Sequence, residues 1–254
     1  MSAATASVPR PAPRGRLLAA QAAAEVGMTL RRGESVLLAL GIPVMLLVFF
    51  SVVHVLPTDT TRPVDFLGPG ILALAVMSTA MVSLGIATGF ERGYGVLKRL
   101  GTTPLGRPSL LAAKTAAVLA VELIQVIVLV PVAVGLGWKP GGDVGLAVAA
   151  VLAATVAFAG LGLLMAGTLR PEATLAAANG LYLLLLLLGG MVVPLSKLPA
   201  ALRAVARGLP AAALSGALKG ALTGSGHVSP HDWVVLAAWA IGAPVAAAFT
   251  FRWE

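Results

Sequence analysis

The sequence predicts an all-α integral membrane protein: six transmembrane helices, an N-terminal interfacial helix, and a re-entrant outer element between the fifth and sixth helices. Three observations predict it. Of 254 residues, 58% are hydrophobic and only 11% are charged, against about 25% charged in a soluble globular domain. A soluble core of this length could not hide so much apolar surface, so the chain's bulk solvent is lipid. The apolar residues fall into six stretches, each near the about 20 residues that cross a bilayer. Lys and Arg cluster in the short flanks between them, the pattern that orients membrane spans.

Residues 1–16, MSAATASVPRPAPRGR, are rich in Ala, Pro, Ser and Arg and read as a disordered basic tail. Residues 17–34 read as an amphipathic helix lying in the membrane interface. Leu18, Ala22, Val26 and Leu30 recur at steps of four, with Gln21, Glu25, Arg31 and Arg32 elsewhere on the wheel. The domain from 35 to 254 then holds the spans, at about 35–56, 66–90, 109–137, 144–169, 173–194 and 231–251. Pro43 interrupts the first, as membrane helices tolerate. Between the last two spans lies a long apolar loop, about 195–230, with two short helical segments, LPAALRAVARGLP and AAALSGALKGAL. These are expected to dip into the outer leaflet, with their long basic side chains snorkelling to water.

With the N-terminus inside, twelve of the 18 Lys and Arg fall on the cytoplasmic side: Arg10, Arg14, Arg16, Arg31, Arg32, Arg92, Lys98, Arg99, Arg107, Lys114, Arg170 and Arg252. Arg62, Lys139, Lys197, Arg203, Arg207 and Lys219 fall outside. The bias places both termini in the cytoplasm, which an even number of spans allows. The net charge of +8 therefore reports topology and lipid contact, not nucleic-acid binding.

One stretch breaks the apolar run: FERGYGVLKRLGTTPLGRPSLLAAK, residues 90–114. Val96, Leu97 and Leu100 lie at i, i+1 and i+4, an apolar patch on a turn and a half of helix. Glu91, Arg92, Lys98 and Arg99 surround it. So short a helix is marginal alone, and Gly93 and Gly95 weaken it further. It either rests on lipid or neighbouring helices as a topology-fixing loop, or docks on a cytoplasmic partner.

This stretch resembles the segment between the second and third spans of ABC transporter permeases of the type-2 family. The likeness rests on Glu91-Arg92, Gly95, Leu97, Leu100, Thr103-Pro104, Arg107, Leu110 and Lys114, and is nearest to the daunorubicin-resistance branch of drug exporters. A second block, 178–210, is similar to that family's fifth span and outer re-entrant element through Asn179, Tyr182, Gly189, Pro194, Leu198-Pro199 and Leu209-Pro210. The resemblance implies a coupling helix at about 91–107, its core at 91–101. There Glu91, Arg92, Val96, Leu97, Lys98, Arg99 and Leu100 would dock a separate ATPase subunit that binds ATP and Mg. It also implies a second permease subunit, identical or related, and a place in the bacterial inner membrane. The chain itself is expected to bind no cofactor. Its nearest approach to a phosphate loop, Lys114-Thr115, has Pro108 and Ala113 where the two glycines belong.

Other residues bear on chemistry. Glu122 lies in the middle third of the third span with Gln125 one turn on. It either lines a route for a polar or cationic substrate or fastens helices together. Asn179 and Tyr182 are the other candidates for the substrate path. Lys114 is expected to snorkel to lipid phosphates. Gly85, Gly89 and Gly93, spaced by four, are expected to let helices approach closely. His227, His231 and Asp232 do not read as a metal site, since Pro230 breaks the helix that would align the imidazoles. With no cysteines, thiolate chemistry is excluded. No catalytic constellation is visible.

Aromatic residues are only 5% of the chain, and Trp138, Trp233 and Trp253 fall at span ends, as interface anchors do. The path wall would then be mostly aliphatic, which suits a hydrophobic drug or lipid-like substrate better than a sugar polymer. The alternatives are a non-transporting scaffold or immunity protein, or a secondary transporter or channel. The last would carry more charge inside the membrane than Glu122 alone.

Overall fold

The computed structural model describes residues 14–31, 37–53, 62–96, 107–223 and 226–251. The described residues are helical, with no strand among them. Of the expected docking helix, Leu97, Lys98, Arg99 and Leu100 lie outside the described residues, as do residues 1–13 of the expected tail.

Helix α1 runs Arg14–Arg31, so it takes in three residues of the stretch read as tail. Helix α2, Ile42–Val52, follows a π-wound turn at Leu37–Gly41 and carries Pro43 at its start. Helix α3 is continuous from Pro63 to Gly93, 31 residues, with Ser78–Ser83 wound as a π-helix. Helices α4 (Arg107–Gly135), α5 (Val144–Thr168) and α6 (Pro171–Leu188) follow. Then come the short helices α7 (Ala200–Arg207) and α8 (Pro210–Leu222), and finally α9 (Pro230–Thr250).

Five helices among the described residues are long and apolar enough to cross a membrane: α3, α4 from Ala113, α5, α6 and α9. At the place of the expected first span stands a shorter apolar helix, Ala39–Val52. The starts follow local chemistry. Pro63, Pro171, Pro210 and Pro230 each sit at a first helical position, where proline's missing N–H costs nothing. Asp143 caps α5 by accepting from Gly145 N at 2.7 Å and Leu146 N at 3.1 Å. Pro108 is the second residue of α4, where proline is likewise tolerated.

Helix α3 is the axis of the bundle. Its apolar window is 72% buried, against 17% for α6 and 22% for α9. At 1.5 Å per residue it is about 46 Å long, more than the roughly 30 Å of hydrocarbon, so it tilts or projects. Leu67, Ile71, Leu74, Met77 and Met81 fill the core with Phe158 of α5 and Leu214 of α8. Small residues set the approach distances. Gly160 faces Pro244 of α9, where a Cβ would come within 2.5 Å of the proline nitrogen. The expected outer element is a separate layer. At 13 residues, α8 is about 20 Å long and too short to span, yet its alanine face is buried against α3, α5 and α9. Gly141 N and Asp143 N donate to Leu222 O and Ala221 O at 3.0 and 2.9 Å, fixing α8 beside the α4–α5 loop.

Candidate functional site

The expected coupling segment begins differently from its sequence reading. Residues 91–93 are not the start of a separate helix but the last turn of α3. The chain then turns at Tyr94 and Gly95, the latter at φ +70°, a conformation glycine adopts without strain. Tyr94 and Val96 are exposed. Phe90 and Tyr94 pack ring on ring, centroids 6.0 Å apart.

Glu91 and Arg92 do not face outward with them. Glu91 Oε2 lies 2.7 Å from Lys114 Nζ, and the two side chains are 24% and 3% exposed. Lys114 therefore does not snorkel to lipid. At its depth on α4 the nearest counter-charge is the carboxylate on α3, and a buried ammonium needs one. The Arg92 guanidinium donates to Gly167 O at 2.5 Å and to Leu169 O. Those carbonyls close α5, where a helix leaves its last C=O groups without intrahelical partners and its dipole is negative. The two charges read as docking contacts thus knit α3 to α4 and to the α5–α6 turn.

Gly85, Gly89 and Gly93 continue this seam. A Cβ at Gly85 would lie 3.1 Å from Gly162 Cα, at Gly89 3.2 Å from Thr174 Cγ2, and at Gly93 2.5 Å from Pro171 Cγ. The stripe serves close packing of α3 on α5 and α6, as its spacing suggested.

The four substrate-path candidates divide into two pairs. Glu122 and Gln125 are walled in, at 3% and 1% exposure. Thr155 Oγ1 stands 2.7 Å from Glu122 Oε2 and also 2.8 Å from Val151 O. Thr79 Oγ1 donates to Gln125 Oε1 at 3.1 Å, and Gln125 Nε2 donates to Ala39 O at 2.8 Å. Gln125 thereby touches both π-wound turns, at Ala39 and at Thr79. At the first it reaches a backbone carbonyl and at the second a side-chain hydroxyl. Asn179 and Tyr182 lie on α6 instead. Asn179 is exposed and donates to Leu175 O of its own helix at 2.9 Å. Tyr182 is half-buried against the core.

At the opposite end, Lys219 of α8 is folded inward rather than snorkelling. Its ammonium sits 3.5 Å above the Phe66 ring and donates to Gly190 O, which also accepts from Ser215 at 3.1 Å. Burial lowers its pKa from 10.5 to about 7. The unfolded chain then binds the extra proton between about pH 7 and 10.5, so this residue's destabilising effect is full below 7 and fades as pH rises. The melting temperature of the wild type relative to Lys219→Met should therefore climb from pH 7 to 10. A difference that stays flat would show that Lys219 titrates normally. Arg203 likewise turns back, donating to Ser196 O at 2.7 Å and Leu198 O at 2.9 Å.

Sequence reading missed these inward turns. For Glu91 and Lys114 a signal existed: opposite charges at the ends of successive spans, at matching depth. For Lys219 there was none, because Phe66 and Gly190 lie far away in sequence. His231 Nε2 is 3.1 Å from Arg207 O. No group of three or more possible metal-ligating side chains occurs among the described residues.

No curated protein matches the chain significantly. The model of one family, the ABC-2 type transporter, matches residues 22–222. That match takes in α3, the turn at Tyr94, the Glu91–Lys114 and Arg92 contacts, and all of the outer element through α8. This multi-pass membrane protein belongs to the ABC-2 type transporter family, as a permease component without an ATPase site of its own.

Proposed function

We propose that the chain is the membrane subunit of an ATP-driven exporter in the daunorubicin-resistance branch, moving a hydrophobic drug or lipid-like substrate outward. A separate ATPase subunit, which binds ATP and Mg, powers it by docking on the segment after α3. The observation that carries this reading is the division of labour at residues 91–96. Glu91 and Arg92 are spent on internal contacts, while Tyr94 and Val96 are exposed. The docking surface is accordingly Val96, Leu97, Lys98, Arg99 and Leu100 with Tyr94, an apolar patch inside a basic frame. Family members normally work with such a subunit.

A second permease subunit, identical or related, covers the exposed face of α6, where Leu175, Leu183, Leu184 and Leu187 stand beside Asn179. A polar carboxamide on a lipid-exposed span is costly, and such residues usually face protein or a water-filled path. Asn179, with Tyr182, is therefore the path candidate, and Glu122 and Gln125 are fasteners. The chain sits in the bacterial inner membrane with both termini in the cytoplasm.

The test is capture of the tagged chain from its native cells in mild detergent. A phosphate-loop ATPase should elute with it, and with Leu97→Asp/Leu100→Asp that ATPase should fall at least tenfold while the chain stays in the membrane. An intact membrane chain that elutes alone would favour a scaffold.

A further inference from the structure

We propose that Arg92 and the Glu91–Lys114 pair are transmission residues, passing displacement of the adjoining ends of α3 and α4 to α6 through the α5–α6 turn. The inference rests on the permease reading and says which helix the ATPase moves and through what.

Helix α3 ends at Gly93 and α4 begins at Arg107, so a partner docked after α3 pushes on those two helices first. Alone, that would let α3 and α4 part or slide. The Glu91–Lys114 contact, 2.7 Å long and with Lys114 buried, ties their ends together. Arg92 extends the tie. Its two terminal nitrogens hold Gly167 O and Leu169 O, the final carbonyls before α6 begins at Pro171. Gly93 lies against Pro171 itself, and Gly89 against Thr174 one turn into α6. At both points the glycine backbone of α3 meets α6 directly.

Helix α6 is suited to receive motion. Within this chain only 17% of its apolar window is buried, so few contacts with its own neighbouring helices resist its movement. Both its ends are gripped by polar contacts, at Leu169 by Arg92 and at Gly190 by Ser215 and Lys219. A guanidinium bridging two carbonyls fixes direction as well as distance, which a lysine amine does not. Arg92 is thus a positioning residue. It acts on α6 through the turn and touches neither nucleotide nor substrate.

The absence of native cysteines makes the test clean. A cysteine at the exposed Arg170 position carries an environment-sensitive fluorophore, in the full chain reconstituted with its captured ATPase in lipid nanodiscs. In the wild-type background, ATP with Mg should change the fluorescence. With Arg92→Gln, the ATPase should remain bound at unchanged stoichiometry while the change shrinks at least fivefold, and Arg92→Lys should restore part of it. Glu91→Lys and Lys114→Glu should each lose the change, and the double swap should regain most of it.

A full-sized signal in Arg92→Gln would overturn the proposal. So would loss of the ATPase from that variant, which would make Arg92 a docking contact after all. Should single variants misfold, the double swap still decides, because a folded swap without the signal counts against transmission. A short bis-thiosulfonate linker should join Glu91→Cys to Lys114→Cys in native membranes but not Glu91→Cys to Lys139→Cys. Failure of that link would overturn the clamp without reference to any ATPase. A background chain that binds no ATPase would instead sink the ATP-driven exporter reading, and it shows before any transmission variant is made.

Discussion

Replacing Gly162 with leucine should abolish the folded membrane domain. A Cβ at this position would come within 2.6 Å of Met81 O and 3.3 Å of Ala80 O and Gly85 N. These are backbone atoms, so no rotamer change relieves the clash. They belong to the π-wound turn of α3 and the helix just after it, at the centre of the bundle. Between membrane helices, apolar burial supplies little drive, and close backbone approach supplies the packing instead. Alanine alone should cost about 1–3 kcal/mol, the usual penalty for overpacking. Leucine cannot fit unless α3 and α5 separate. Gel filtration in detergent should show aggregate for Gly162→Leu, with no cooperative melt. Gly180→Leu is the control, since Gly180 has nothing within 4 Å of its Cβ position. A folded Gly162→Leu protein melting near the wild type would refute this account of the α3–α5 seam.

The second large effect concerns Lys114. Lys114→Met should destabilise the domain by about 3 kcal/mol, the low end of what breaking a buried ion pair costs. The low end applies because Glu91 keeps 24% of its side chain exposed and recovers some hydration when its partner goes. Glu91→Gln should cost a similar amount or more, since it takes the carboxylate from an ammonium that is only 3% exposed. Glu91→Leu/Lys114→Met, which removes both charges, should recover most of the loss, because well-packed apolar replacements of a buried pair are often neutral. The double-mutant cycle in thermal or denaturant unfolding reads the coupling directly. Additive single effects would mean that the two charges do not act as a pair. This measurement concerns stability alone. It separates the static value of the clamp from the transmission read by fluorescence at residue 170.

Much of the architecture was legible because its signals are local. A run such as LYLLLLLL announces a span by hydropathy. The stripe Gly85, Gly89, Gly93 announces a close helix contact by spacing. The family motifs are contiguous blocks, so resemblance reached the permease family before any fold was known. The first span was harder. Its apolar composition was plain, but the described helix is shorter than a span needs, and its π-wound start has no sequence signature.

The candidate site was only half legible. Glu91, Arg92, Lys98 and Arg99 were read as one charged frame, because along the chain they are neighbours. In space the first two belong to the last turn of α3 and point at α4 and α5. Lys114 and Lys219 looked like snorkelling residues, because a long basic side chain at a span end usually does that. Glu122 and Gln125 could be route or fastener from the sequence, which does not show Thr155, Thr79 and Ala39 as their hydrogen-bond partners.

The sequence by itself determined that this is a helical membrane protein and which family it joins. Those properties follow from hydropathy and motif order, each set within a few turns of chain. Only the tertiary structure decided which charges are spent inside: Glu91 on Lys114, and Arg92 on Gly167 and Leu169. That depends on the azimuth and depth of each helix in the bundle. Azimuth and depth are fixed by the sum of distant contacts such as Gly162 on Met81 and Gly93 on Pro171, which no stretch of sequence contains on its own.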